Sequence, residues 1–423
     1  MTKPSVLFIN RVYPPQRGAS GRVLRDLARG FADDGWRVTI LTTGPDRRKE
    51  SEGDFTVIRL RTRGRKRDLF YFALIWFRLL WAALKVPRHD LVVTMTDPPL
   101  LVVAGKHIAR FKKSHHIHWC QDLYPDILPC LGLRIPAGQM RFFTKLSRKA
   151  MKSCDKIVAV GRCMAKKLTR GGMDPRRVAV IPNWPDQELL PRQDGDTRKP
   201  RKIRKLENAS GARPFDELLK DGTDRKFRVL YSGNLGRAHP YETILDAAGM
   251  LAADHPEIEF VFVGDGFNFT RLAHERARRG LENVRLLPYQ PLSRLREVME
   301  SGDIHLISMK QDVSGLIVPC KLYAALTVGR PCVLIGPDDC ETAQVINDFK
   351  AGSIVPQGDA AGLAAVIKTF RFDSDAWFAA YEGATKAGQV FVPAESIRAW
   401  VKRARDVVGA PAAAPHDQYS KAA

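Results

Sequence analysis

The 423-residue chain has seven cysteines and no C-x-x-C pair among them. Cys120, Cys130, Cys154, Cys163, Cys320, Cys332 and Cys340 are scattered and odd in number, which indicates neither a zinc site nor a disulfide framework. That usage fits a reducing compartment. No uncharged apolar run reaches the roughly 20 residues of a spanning helix, which excludes a polytopic membrane protein. No short-period repeat is visible, which sets stacked-repeat folds aside. Near the start the chain runs into Val6-Leu7-Phe8-Ile9-Asn10, a strand pattern rather than that of a cleavable signal peptide, so no leader and a cytoplasmic location are expected. Above all the chain is short of acid. Lys and Arg number 68 against 46 Asp and Glu, a formal charge of +22. Such an imbalance points to an anionic partner: nucleic acid, an acidic membrane leaflet or a phosphorylated substrate.

What is present is the composition of a folded chain, 44% hydrophobic and 27% charged with a mean hydropathy of −0.24. Its length suits two domains of about 150–200 residues. In the first half, the apolar stretch Val6–Asn10 leads into the loop Arg11–Gly21, and Val23, Leu24, Leu27 and Phe31 then recur at helical spacing until Gly35. Further strands are expected at Val38–Leu41, Leu91–Thr94, Ile117–Trp119, Ile157–Val160 and Val178–Ile181. Apolar strands separated by helices indicate a parallel sheet covered on both faces. Residues 186–226 break that rhythm and read as a linker or insertion, after which it resumes from Arg228 through Cys332–Ile335. The expected division is 1–185, the 186–226 linker, 227–390, a final helix within 391–409 and a disordered tail at 410–423.

Several strings then fall in a telling order. Tyr231-Ser232-Gly233-Asn234-Leu235-Gly236-Arg237-Ala238-His239 ends one strand and Phe262-Val263-Gly264-Asp265-Gly266 the next. Leu287-Pro288-Tyr289-Gln290-Pro291 follows, then Ser314-Gly315-Leu316-Ile317-Val318-Pro319-Cys320-Lys321-Leu322-Tyr323 and Gly329-Arg330-Pro331. The first half carries Gly18-Ala19-Ser20-Gly21, Gln121-Asp122-Leu123-Tyr124-Pro125 and Ile181-Pro182-Asn183-Trp184. Together, over roughly Ser5 to Val407, they resemble family-4 glycosyltransferases of the GT-B fold, especially the branch that includes colanic-acid-type fucosyltransferases. The resemblance implies an α/β architecture of two Rossmann-like domains facing across a cleft. A nucleotide-diphosphate sugar would sit on the C-terminal domain and the acceptor on the N-terminal one. Transfer would retain configuration and need no metal or other cofactor, and the last helix would cross back to the first domain.

A departing diphosphate needs cations and backbone N–H groups around it. By resemblance Arg237 and His239, after the Gly233-Asn234 turn, line the diphosphate, with His239 donating a hydrogen bond. A solvated Arg and a helix-capping His remain the structural alternative. Gly315 and Leu316 would offer N–H groups ahead of a helix starting near Pro319, with Lys321 reaching a phosphate; a plain surface lysine is the alternative. Gly264 marks the carboxyl edge of the sheet, where such folds bind ligands. Tyr289 and Gln290 would cradle the base, or simply form a loop. Relatives carry two glutamates flanking the Ser314–Tyr323 stretch; this chain has Ala324 at the second position, and Glu341 is the candidate replacement for contacting ribose. In the first half, Gly18 precedes a helix whose N-cap lies near Ser20, and His118 and Asp122 are expected just past a strand, with Asp122 accepting a hydrogen bond from an acceptor hydroxyl. His115-His116-Ile117-His118 admits a metal reading but lacks a companion ligand set.

The 18-residue segment Leu69–Val86 has Arg78 near its middle and follows the basic stretch Arg59–Arg67. Three readings stay open: a helix buried in the domain, a spanning anchor, or an interfacial helix held to an anionic membrane surface through residues such as Phe70, Trp76 and Trp81. The leading function is a glycosyltransferase acting on a lipid-linked or glycolipid acceptor in surface polysaccharide or glycolipid assembly, peripheral on the inner face of the cell membrane. A nucleotide-sugar epimerase of the same fold is the nearest rival. Nucleic-acid binding is disfavoured, because the basic residues follow no recognisable RNA or DNA motif.

Overall fold

The computed structural model describes residues 3–16, 18–62, 69–190 and 226–411. The expected linker at 186–226 and tail at 410–423 lie almost wholly outside that set, as do the Arg63–Arg67 part of the basic stretch and the Phe70 side chain.

The chain divides into two compact units. The first takes residues 1–184, the short segment Ser314–Val318 and everything from Val392 onward. Its eight-stranded sheet runs in the order β3-β4-β2-β1-β5-β6-β7-β8. Here β1 is Ser5–Ile9, β2 Arg37–Gly44, β3 Arg48–Glu52, β4 Phe55–Arg61, β5 Leu91–Thr94, β6 His115–Cys120, β7 Lys156–Ala159 and β8 Val178–Val180. All neighbours pair in parallel except β3, which runs antiparallel to β4 at the sheet edge. Every residue of β1 is buried, as expected of a central parallel strand covered on both faces. Sequence patterning did not anticipate β3 and β4. Their Arg, Lys and Glu content breaks apolar periodicity, and Arg59 accounts for part of that. It is buried, donates to the Pro14 carbonyl and lies 5.4 Å from the Tyr13 ring centre, so it is not available to a membrane surface.

Helices α1 (Ala19–Asp33), α2 (Leu69–Lys85), α3 (Leu101–Lys112), α4 (Ala137–Met151) and α5 (Arg162–Arg170) connect these strands. Gly18 itself stands at the N-cap of α1, with no side-chain cap, so Ser20 lies inside the first turn rather than capping it. Tyr71, Ile75, Leu79 and Ala83 turn one face of α2 into a core with Leu7, Ile9, Val92 and Ile108. Among the described residues no helix is long and apolar enough to cross a membrane.

The second unit holds residues 185–313 and 319–391. Its strands β9 (Phe227–Asn234), β10 (Ile258–Asp265), β11 (Val284–Leu287), β12 (Ile304–Ser308), β13 (Cys332–Ile335) and β14 (Gly352–Val355) form an all-parallel sheet ordered β11-β10-β9-β12-β13-β14. Helices α6 (Glu242–Leu251), α7 (Phe269–Arg278), α8 (Leu295–Glu300), α9 (Lys321–Thr327), α10 (Glu341–Phe349), α11 (Ala360–Phe372) and α12 (Ser374–Val390) belong to it. In each sheet the chain leaves its first strand to one side and returns on the other. The reversal falls between β1 and β5 in the first unit and between β9 and β12 in the second. Ligands of open α/β sheets bind outside the carboxyl ends of the strands at such reversals.

The last helix, α13 (Pro393–Val408), is part of the first unit. Pro393 occupies its first turn and Gly409, at φ 67°, ends it, the usual asymmetry of helix termini. Trp400 is fully buried with its ring 5.0 Å from that of Trp119, which in turn stacks on Trp184. Arg405 grips Asp34 at the end of α1 through Nε and Nη2, at 2.7 and 2.6 Å. Replacing a buried tryptophan by alanine costs about 3–5 kcal/mol. Trp400→Ala is therefore expected to lower the urea midpoint of the first unit's transition strongly, while Arg398→Ala, an exposed ion-pair residue on the same helix, leaves it nearly unmoved.

Candidate functional site

In the second unit the strand ends beside the reversal point are built from glycine. β9 and β10 are in register at Gly233 and Gly264, and a Cβ on Gly264 would stand 2.1 Å from the Gly233 carbonyl oxygen. Gly233 has φ 118° and Gly266 φ 137°, values L side chains rarely adopt. The edge is thus bare backbone, open to close approach by a ligand.

Lys321, in the first turn of α9, lies across that edge. Its Cε would be only 3.1 Å from a Cβ on Gly233, its Nζ donates to the Asn234 carbonyl at 3.0 Å and sits 4.6 Å from the Tyr231 ring centre. Burial pushes its pKa down to about 7. His239 donates from Nδ1 to the Ser308 carbonyl at 2.6 Å, because a carbonyl can only accept. Burial, helped by the Lys321 charge, lowers its pKa to about 3, so the ring is neutral and Nε2 carries a lone pair. The expected donation by His239 to a phosphate is corrected on this point: in the free protein its one N–H is already committed. Arg237 is exposed, with its guanidinium carbon 3.4 Å from the centre of the Phe267 ring. Asn268 pins the loop that carries both residues, donating to the carbonyls of Gly236 and His239 at 3.1 and 3.0 Å.

The structure therefore brings Gly233, Asn234, Arg237, His239, Gly264 and Lys321 to one sheet edge. Tyr231, Phe267, Asn268 and Ser308 complete it and were not singled out in the sequence. The string Gly264-Asp265-Gly266-Phe267-Asn268 was the available signal for two of them. Tyr289, partly exposed, and Gln290, whose amide donates to the Pro288 carbonyl at 2.9 Å, follow β11 two strands away. Glu341 opens α10 beyond β13 on the other side and is buried, while Ala324 is half-buried within α9.

Gly315 and Leu316 behave differently from expectation. Their segment belongs to the first unit: Leu123 N–H donates to the Leu316 carbonyl at 2.8 Å and Ile317 bridges to Asp122. Gly315 has φ 70°, and a Cβ there would stand 3.0 Å from the Cys163 carbonyl oxygen. The helix that follows starts at Lys321 rather than near Pro319.

In the first unit the reversal point holds Arg11, just after β1, and Asp97, beyond β5. Arg11 donates from Nε and Nη2 to the two Asp97 oxygens at 2.6 and 2.8 Å. Burial, and then the charge of Asp97, raises the Asp122 pKa to about 7. His118 lies within β6 rather than past it. It is buried, its Nδ1 within 3.0 Å of the Thr94 carbonyl, and burial lowers its pKa to about 4. His118 and Asp122 line one cavity of about 10 Å³ with Thr96 and Tyr124. That is room for about one water, not a sugar. The histidine run does not converge on a metal: His116 bonds Thr94 and faces Cys154, whereas His115 sits at the surface 3.4 Å from Asp155. Among the described residues no three His, Cys, Asp or Glu side chains group as a metal ion requires.

Two family models match the chain, a glycosyl transferase 4-like domain over residues 18–184 and glycosyl transferases group 1 over residues 226–371. A protein of Escherichia coli described as the colanic acid biosynthesis glycosyl transferase WcaI is 26% identical over 364 residues, covering 80% of this chain and 84% of that protein. Among solved structures, sucrose-phosphate synthase from Thermosynechococcus elongatus superposes with a TM-score of 0.75 at 15% identity, covering 96% of this chain and all of that one. Anabaena HepE in complex with UDP and glucose gives 0.68 at 16% identity, covering 94% and 98%.

Lys321 generates a measurable consequence. Between pH 7 and its ordinary value of 10.5 the folded chain binds fewer protons here than the unfolded chain. Ligand-free stability should therefore rise with pH across that window, and less so in Lys321→Met. A bound diphosphate favours the charged amine, so binding of a nucleoside diphosphate at pH 8 should take up a proton. Calorimetry in buffers of different ionisation enthalpy reads this uptake directly. It should vanish in Lys321→Arg, whose guanidinium stays charged throughout. Equal uptake in both proteins would remove Lys321 from the anion site.

Proposed function

The chain belongs to the group 1, family-4 glycosyltransferases of GT-B fold, which use nucleotide-sugar donors, and we propose that it transfers a sugar with retention, without a metal, to a membrane-associated acceptor in surface-polysaccharide or glycolipid biosynthesis. The observation that carries the donor half is the glycine-lined edge of β9 and β10 with Lys321 lying on it. A leaving diphosphate develops negative charge, and preorganised cations there favour the transition state. Near pH 7 Lys321 is only partly charged until an anion arrives, and Arg237, held on Phe267, supplies a second cation. HepE, solved with UDP and glucose, supports a uridine nucleotide and a hexose as the first donors to try. WcaI supports surface polysaccharide as the setting.

In the first unit Asp122 is the residue to receive a hydrogen bond from the acceptor hydroxyl; the cavity it shares with His118 holds about one water, so the hydroxyl alone, and not the sugar ring, would enter it. In a front-face transfer the leaving phosphate oxygen takes the proton, and Asp122 orients the hydroxyl and raises its electron density as the new bond forms. His118, neutral and tied to Thr94, supports the strand end rather than moving a proton. The excess of positive charge supports a peripheral position on the inner face of the cell membrane, where a lipid-linked acceptor is presented.

Asp122 must be ionised and Lys321 protonated for this chemistry, and both pKa values lie at about 7. The pH profile of kcat/KM, which reports free-enzyme groups, should therefore be a narrow bell. Asp122→Asn should remove its acid limb and lower the rate by less than the ~10²-fold at which proton-transferring groups begin, because Asp122 orients the hydroxyl without taking its proton. Lys321→Arg should remove the alkaline limb. An unchanged bell in both variants would displace these two residues from the reaction.

Transfer should also persist in EDTA. Loss in chelator with recovery on adding one divalent ion overturns the metal-free reading. Incubation with donor alone separates the rival activity, since an epimerase would convert the sugar nucleotide with no acceptor present.

A further inference from the structure

Helix α2 has two apolar faces, and among the described residues only one has a partner in the fold. Opposite the face that enters the core, Leu74, Phe77 and Trp81 recur at three- and four-residue spacing. Phe77 and Trp81 are each 63% exposed. Beside them α2, the end of β4 and the turn after β2 enclose a groove of about 360 Å³. Its walls are Phe77 and Trp81, its cations Arg47, Arg61, Arg78 and Lys85, and no acidic residue lines it. Among the described residues none of the four cations forms an ion pair, and Lys85 leans over the Trp81 ring at 5.0 Å. The surrounding layer has the same bias. α2 packs on α3 and α3 on α4, and these three helices contain no Asp or Glu at all.

Four like charges in one groove repel one another and gain from an anion that bridges them. The volume lies at the small end of ligand pockets, enough for a phosphate with a few carbons attached. A free phosphate would satisfy the cations and leave the aromatic walls in water. A lipid phosphate satisfies both, its oxygens meeting Arg61, Arg78 and Lys85 and its first methylenes lying between Phe77 and Trp81. We propose that this groove is a binding site for the phosphate head of a lipid presented by an anionic leaflet. It deepens the reading of a membrane-presented acceptor and rests on that reading for its purpose, but the groove is separate from the residues assigned to sugar transfer.

The test uses the full chain and vesicles of phosphatidylglycerol and phosphatidylcholine, or of phosphatidylcholine alone. Wild type should float with the anionic vesicles at least tenfold more than with the neutral ones. The triple variant Arg61→Gln, Arg78→Gln, Lys85→Gln should lose at least tenfold of that binding. The triple variant Lys368→Gln, Lys386→Gln, Lys402→Gln, which removes the same charge from elsewhere on the surface, should lose no more than two- to threefold. Equal losses in the two triples would assign binding to diffuse charge and overturn the groove. With brominated lipid, tryptophan fluorescence should be quenched in wild type and much less in Trp81→Phe, which keeps an aromatic ring for folding and binding. Undiminished quenching places Trp81 outside the bilayer and overturns the orientation. Displacement from vesicles by millimolar inorganic phosphate would make this a free-anion site and overturn the lipid assignment. Transfer to a soluble acceptor analogue, assayed in the same proteins, is expected to survive the groove variants. Absence of transfer in wild type would count against the proposed function alone, since flotation is read without it.

Discussion

The close approach of β10 to β9 is the constraint on which the donor edge depends. In parallel register the Gly264 Cα faces the Gly233 carbonyl so tightly that any side chain at 264 would overlap it. The same absence of side chains lets Lys321 lie across the strand end and reach the Asn234 carbonyl. An amine placed there is half-buried and meets a carbonyl and the face of Tyr231 rather than a carboxylate, so its charge is poorly compensated until an anion binds. Conformational permissiveness at glycine, backbone approach and the lowered lysine pKa are thus one arrangement. Asn268 makes it rigid by closing the 236–239 loop onto the backbone, so that Arg237 and His239 stay in place without a ligand.

The positive charge of the chain does not act as a single quantity. Part of it is neutralised inside the fold: Arg228 meets Glu259 at 2.7 Å in the second unit, and Arg11 and Arg405 are held by Asp97 and Asp34 in the first. Such pairs orient strands and helix ends, and removing one partner leaves a stranded charge. Five cations that form no ion pair among the described residues are placed differently. Arg237 and Lys321 stand at the carboxyl edge of the second sheet, and Arg61, Arg78 and Lys85 line the groove on α2. Asp122 is the counterpart on the acidic side, a carboxyl whose burial beside Asp97 leaves it poised near neutrality. Groups with pKa values drawn toward working pH are the ones suited to proton-linked chemistry.

The apolar periods along the chain were enough to read two doubly wound sheets, because a buried parallel strand must be apolar on both faces and its helix must repeat every third or fourth residue. Strands β3, at the sheet edge, and β4 beside it escaped that reading, since strands partly in water keep charged residues and lose the period. Motif order likewise determined the family and the glycine-centred strings around Gly233 and Gly264, for a glycine between a strand and a helix leaves its mark in the chain itself. What only the tertiary structure decided is which groups share an environment. Lys321 and Asn234 are far apart in sequence and adjacent at the edge of one sheet. Leu316 proved to be committed to Leu123, and His118 to Thr94. Trp76 and Trp81 look alike in the sequence, yet one packs against the core and the other stands in water, because burial belongs to the side of the helix that meets the sheet. Sequence specifies local conformation through propensity and period; charge state, solvation and partnership come from contacts between distant segments, and so are settled only when the chain has folded.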